Sequence, residues 1–255
     1  MHQVELFALT DHDTIAGFRE VETVDWPFRL VSGIEFSTVW NGVSVHVIGL
    51  DFDPDAPSMQ EGVAFQREVR KKRAQVIDQR LAKQGMADTL QGALKYCPDE
   101  CQVGRPHFAQ HLQERGFVAT TAEAFDRWLG SGRIGDVKSG WPELPQAIGW
   151  IRQAGGVAVL AHPLHYRLTF SRLRQLVAFF QESGGAAVEI CGEQANPDQK
   201  RNLAELVRKS GLAASGGSDF HDPEWAWSKI GQVEAMPVQQ VPVWSLFQRT
   251  RITPP

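Results

Sequence analysis

The sequence is poor in sulfur, with three cysteines (Cys97, Cys101 and Cys191) among 255 residues. That excludes a disulfide framework and makes a reducing cytoplasm the simplest setting. It lacks any apolar run long enough to cross a membrane, and nothing in it resembles a signal peptide. It also lacks a strong excess of one charge. A net charge of −4 argues against a broad nucleic-acid-binding surface. It does not argue against an anionic substrate, because bound cations would supply local positive charge. No internal repeat or low-complexity segment is found. Apolar residues make up 42% of the chain, enough for a sizeable core in one large domain or a domain with an insertion.

What is present is a rhythm of strands and helices. Leu6–Thr10 is expected as a short buried strand, and Asp13 or Thr14 as the cap of a helix reaching about Val24. Arg29–Thr38 and Ser44–Leu50 read as strands. The character changes after Asp55: Met59–Gln84 is a long charged helix, Pro106–Glu114 and Ala122–Leu129 are helical, and Gly130–Trp141 is a Gly-rich loop. Helices at Leu144–Ala154, Ser171–Ser183 and Pro197–Ser210 then alternate with strands at Val157–Leu160, Ala187–Ile190 and Leu212–Ser215. Such alternation predicts an α/β fold with a parallel sheet or barrel. Residues 55–140 read as a mostly helical insertion between 1–54 and 141–255.

Chemistry-bearing residues gather where apolar strands stop. His12 follows Val4–Leu9, His162 follows Val157–Leu160, and Asp219 and His221 follow Leu212–Ala214. Glu35 and His46 lie inside apolar runs, where an ionisable group is costly unless it is paired or metal-bound. Each of the six has a bland explanation taken singly. Six together, at strand ends that converge in an α/β fold, point to a divalent-metal hydrolase.

In order, Thr10-Asp11-His12, Gly33-Ile34-Glu35, His46-Val47-Ile48-Gly49-Leu50, Ala161-His162-Pro163 and Gly217-Ser218-Asp219-Phe220-His221 resemble the motifs of the PHP (polymerase and histidinol phosphatase) family. The likeness runs over nearly the whole chain. Thr10–Thr14, Arg105-Pro106-His107 and Ala161-His162-Pro163 are similar to the branch of nucleoside 3′,5′-bisphosphate phosphatases that also act as 5′-to-3′ exonucleases on short RNA. The resemblance implies a distorted (β/α)7 barrel with a helical insertion. It also implies a centre of two or three divalent ions, manganese first, zinc or iron as alternatives. In that pattern Glu35 bridges two cations, His46 and His162 complete one of them, Asp219 joins the other, and His12 and His221 hold a third. Glu35, His162 and Asp219 would hold the attacking metal-bound hydroxide.

The family opens on a His-x-His strand, and this sequence contains no His-x-His. The resemblance therefore implies a chain lacking its first strand, most of a helix and three ligands, with impaired activity. His2 stands alone and is not counted as a ligand. The alternatives are a catalytically dead metal- or nucleotide-binding PHP domain and, third, an amidohydrolase-type metal hydrolase.

A 5′-phosphate needs its own clamp, and the planar fork of Arg suits it. Arg105 and His107, at a loop-to-helix start, are the first candidates, followed by Arg133. His165, Tyr166 and Arg167 could line the mouth. Asp51–Asp55 reads as a turn rather than a calcium loop, because it lacks the Gly and Glu such a loop needs. Cys97 and Cys101 read as loop residues. The Arg70–Arg73 run reads as a solvated face, Trp225 and Trp227 follow Asp-x-His at strand spacing, and Trp141, Trp150 and Trp244 read as packing, although an aromatic near the pocket could stack on a base. The expected partners are a nucleoside 3′,5′-bisphosphate or short RNA, with no membrane and no stable protein partner.

Overall fold

The computed structural model describes residues 4–97, 99–138, 140–191, 195–221 and 229–250. His2, Trp225 and Trp227 lie outside the described residues. Contacts divide the chain into two units, Met1–Val63 with Pro142–Pro255, and Ala64–Trp141.

In the first unit, β1 (Leu6–Ala8) is followed by the short helix α1 (Ala16–Val21), then β2 (Arg29–Val31), β3 (Gly33–Trp40) and β4 (Val43–Leu50). The expected single strand Arg29–Thr38 is broken at Ser32. β2 runs parallel to β1, whereas β3 pairs antiparallel with β4. Ser32 makes the break because its hydroxyl donates to Phe52 O at 2.7 Å and its carbonyl accepts from Asp51 N at 3.0 Å. Gly33 follows because the chain passes so close that a Cβ there would lie 2.4 Å from Leu9 O. Of the two residues expected at the start of α1, one holds a backbone N–H there, and the helix ends at Val21 rather than about Val24. Thr14 Oγ1 accepts from Ala16 N, while the Asp13 carboxylate turns away to Ser37.

The β3–β4 turn is Asn41-Gly42, both at positive φ, as a two-residue hairpin with primed-turn geometry requires. A five-stranded sheet results, in the order β3-β4-β5-β6-β7, with β5 at Val157–Leu160, β6 at Ala187–Cys191 and β7 at Ala213–Gly216. Pairing is antiparallel through β5 and parallel beyond it. The fold is α/β, and its described ladders form two sheets. The segment after β1 reaches the second sheet through a parallel bridge between His12 and Glu35.

Strand alternation gives the larger sheet two distinct faces. Ile34, Phe36, Val45, Val47, Ala158, Leu160, Val188 and Ala214 face one way, into the largest apolar cluster. There they meet α6 (Leu144–Gln153), α7 (Phe170–Glu182) and α8 (Pro197–Ser210). α6 shows why it packs so: Leu144, Ala147, Ile148 and Ile151 recur at helical spacing and all are buried. The opposite face carries a smaller cluster that includes Ile48, Val159, Ala161, Ala187 and Ala213. Glu35, His46 and Glu189 share this second face.

The second unit has its own core, built from α2 (Pro57–Ala82), α3 (Thr89–Ala93), α4 (Arg105–Glu114) and α5 (Thr121–Ala124). Leu81, Phe108, Leu112 and Leu129 are fully buried in it. Arg73 of α2 lies over the Trp141 ring at 4.0 Å, while Arg67 and Lys71 pair with Asp99 and Glu100. The three cysteines form no disulfide. No helix among the described residues is long and apolar enough to cross a membrane.

Candidate metal centre

The site is built where β3, β4 and the end of β5 meet. Glu35 stands opposite Ile48 and His46 opposite Ser37, so Glu35 and His46 are diagonal neighbours on one face. β5 pairs Leu160 with Val47, and Ala161 N donates to His46 O at 3.2 Å. That register delivers His162 beside His46 as the strand stops before Pro163. The segment after β1 comes in from the other side: Glu35 N donates to Asp11 O at 3.0 Å, Asp13 N donates to Glu35 O at 2.9 Å, and His12 sits between them.

The side chains converge accordingly. His46 Nδ1 lies 2.8 Å and His162 Nε2 2.9 Å from the same oxygen, Glu35 Oε1, and the two nitrogens are 3.3 Å apart. His12 Nδ1 lies 3.6 Å from the other carboxylate oxygen. Glu35 is 4% exposed. Donors around one cation, bonded at about 2.0–2.2 Å, stand roughly 3.0–3.5 Å from each other. The Glu35–His46–His162 triangle has that size, and two imidazoles crowding one carboxylate oxygen is the arrangement of a chelate. The donor set fits a divalent ion. His12, Glu35 and His46 form a second, looser group, with donor atoms all within 4.8 Å of one another.

His221 extends the group, its ring 5.7 Å from that of His12, with Nδ1 2.9 Å from Asp219 O. Asp219 itself takes a left-handed backbone, φ 47°. Its carboxylate adds to the rise of the His162 pKa, whereas His165 is lowered by burial and by the charge of His162, against the pull of Asp219.

Comparison with known proteins decides the family. No protein-family model matches the chain. The 5′-3′ exoribonuclease Rnm of Escherichia coli is 38% identical over 98% of this chain and 86% of its own length. The 3′,5′-nucleoside bisphosphate phosphatase of Chromobacterium violaceum is 34% identical over 98% and 88%. An amidohydrolase from C. violaceum, solved with bound sulfate and no metal, superposes with a TM-score of 0.86 at 34% identity, covering 94% of this chain and 84% of that one. The chain belongs to the PHP family of phosphoesterases.

Electrostatics in this PHP site follow from burial set against proximity. Burial alone would raise the Glu35 pKa. The charges of His12 and His46 and the hydrogen bonds from His162 and His46 reverse that and hold its carboxyl well below the usual range. Burial would lower His162, but its hydrogen bond to Glu35 and that carboxylate's charge raise it to about 9. Among the described residues, its buried Nδ1 has no hydrogen-bond partner.

Sequence reasoning missed Glu189 altogether and gave Asp13 and Tyr166 other roles, Asp13 as a helix cap and Tyr166, with His165, as lining of the mouth. Asp13, fully buried, accepts from Ser37 N at 2.6 Å and Ser37 Oγ at 2.8 Å, clasping β3 next to Glu35. Tyr166 donates to Ala161 O and accepts from His46 N, both at 2.8 Å, so it ties the two histidine-bearing strands together. Its neighbour His165 stacks on His162 with ring centroids 5.1 Å apart. Glu189, 6% exposed on β6, accepts from His162 N at 2.8 Å. Burial raises its pKa to about 7, against the charge and backbone N–H of His162. An acid inside Ala187-Val188-Glu189-Ile190-Cys191 is the same signal that marked Glu35, and it was available in the sequence.

The expected phosphate-binding residues belong to the second unit. Arg105 Nη1 donates to Leu129 O at 3.1 Å and stands 3.8 Å from Asp136. Burial, opposed by Asp136, lowers its pKa. His107 Nδ1 accepts from Gly104 N at 3.0 Å, so only its other nitrogen can meet a ligand. Arg133 is exposed. Asp51 is no calcium ligand here: its carboxylate accepts from the backbone N–H groups of Gln248, Arg249 and Thr250.

Proposed function

We propose that the protein removes the 3′-phosphate from nucleoside 3′,5′-bisphosphates and degrades short 5′-phosphorylated RNA from its 5′ end. The observation that carries this is the donor triangle of Glu35, His46 and His162. Support comes from relatives whose names specify those two activities. Two or three divalent ions, manganese foremost, are assigned to Glu35, His46, His162, Asp219, His12 and His221. When bound, such ions draw charge off phosphate oxygens and make water acidic enough to attack phosphorus. The chain's own groups set the geometry. Glu35 offers one oxygen to His46 and His162 and the other to the His12 side, so it can serve two cations at once. Buried apolar neighbours keep bulk water from competing for it. The leaving group is the 3′ oxygen, of the nucleoside in a bisphosphate or of the first nucleotide in RNA. Arg105, His107 and Arg133 are assigned to the 5′-phosphate, residues 55–140 being read as a mostly helical insertion in a distorted (β/α)7 barrel.

Two variants test the proposal. His162→Ala abolishes manganese-dependent phosphate release from a 3′,5′-bisphosphate, and retained turnover would remove His162 from the site. Arg105→Ala raises KM for a 5′-phosphorylated substrate by about tenfold or more, since a charged hydrogen bond is worth roughly 1.5–3 kcal/mol. A substrate without that phosphate is barely affected, and equal effects on both would refute the clamp.

A further inference from the structure

We propose that Glu189 is the positioning residue for His162: its carboxylate holds the His162 backbone N–H and so fixes the turn that aims the imidazole at Glu35. The inference rests on the reading of His162 as a metal ligand. His162 has φ 24° and ψ 57°, a left-handed conformation that a side-chain-bearing residue rarely adopts. It also precedes Pro163, and a residue before proline is normally pushed to extended backbone. Such a conformation persists only where its surroundings over-determine it. Pro163 removes one donor from the turn, and the His162 N–H finds its partner 27 residues away, at 2.8 Å from Glu189 Oε2.

The sheet explains why Glu189 can reach. β5 and β6 run parallel with Leu160 beside Val188, so Glu189 is the next residue along β6. It points to the opposite face from Val188, where the site lies. Its carboxylate is confined on the far side too: a Cβ on Gly217 would lie 2.7 Å from Glu189 Oε1. The glycine leaves room for the carboxylate and little for another rotamer. A carboxylate buried to this extent is costly unless it is bonded. It bonds the turn that carries a ligand, the kind of outer support that sets ligand orientation at metal sites.

The test measures zinc or manganese affinity by calorimetry on chelator-stripped protein. Circular dichroism and thermal melting of the metal-free forms run alongside. Glu189→Ala weakens affinity by about 10–100-fold, the usual cost of losing such support. Glu189→Gln, which keeps a carbonyl acceptor of the same shape, stays within about threefold of the parent. Gly217→Ala, which crowds the carboxylate without removing it, weakens affinity in the same direction and stands in should Glu189→Ala fail to fold. A merely structural role would lower the metal-free melting temperature and leave metal affinity untouched, overturning the proposal. Equal loss in the Gln and Ala variants would overturn it too, showing that the charge itself is needed, as in a direct ligand. His162→Ala separates the two readings. If it binds metal like the parent, the ligand assignment has failed. If it loses metal while Glu189→Ala does not, only the positioning role has failed.

Discussion

At the scale of single residues, the site is governed by protons that metal must displace. His162 is raised to about 9 by Glu35, so at neutral pH its imidazole is protonated in the metal-free chain. A ligand imidazole must be neutral, hence binding a divalent ion at pH 7 releases a proton and tightens as pH rises towards 9. Calorimetry in two buffers of different ionisation enthalpy checks this, and buffer-independent heats would contradict it. Without metal the sign reverses. The stabilisation that the His162–Glu35 pair adds is fully present below about pH 6.5 and is lost as pH climbs through about 9, so the metal-free melting temperature falls over that window. Glu35 limits the acid side: its depressed pKa contributes stability above 4.5 that is lost as pH falls through the folded value. The candidate histidines were legible because each lies inside an apolar run, as His46 does, or just past the end of one, as His12, His162 and His221 do. Glu189 carried the same apolar-run signal, but its supporting role, like that of Tyr166, acts through the backbone of a distant residue and has no spacing to betray it.

At the scale of elements, β3 does most to place the chemistry, and its start depends on glycine. The sequence shows an apolar run from Arg29, but not that the chain leaves one sheet at Val31 and enters another at Gly33. That switch is a tertiary contact, made by Ser32 with Phe52 and by the passage of Leu9 against Gly33. Gly33→Ala would set a methyl 2.4 Å from a backbone carbonyl, which cannot rotate aside. The expected cost is about 1–3 kcal/mol in denaturant unfolding, typical of overpacking, with weaker metal binding because Glu35 lies two residues on. An unchanged unfolding midpoint would show that the contact is looser than drawn. The Asn41-Gly42 turn of the antiparallel β3–β4 pair went unread in the sequence, because the alternation of later strands and helices suggested parallel pairing throughout. Parallel pairing holds for β1–β2 and from β5 onward.

At the scale of the molecule, the α/β class, the family and the grouping of Glu35, His46 and His162 were all legible, because five short motifs in order constrain a fold more than composition does. The two compact units follow from two separate cores, and the change of character after Asp55 marks where the strand rhythm yields to helices. The account stands on three donors, 127 residues apart at their extremes, sharing one cation. Anomalous diffraction from crystals soaked in zinc or manganese addresses that directly. A peak within about 2.0–2.3 Å of Glu35 Oε1, His46 Nδ1 and His162 Nε2 is the predicted result. A fully occupied ion elsewhere, with those three side chains still bonded only to one another, would contradict it.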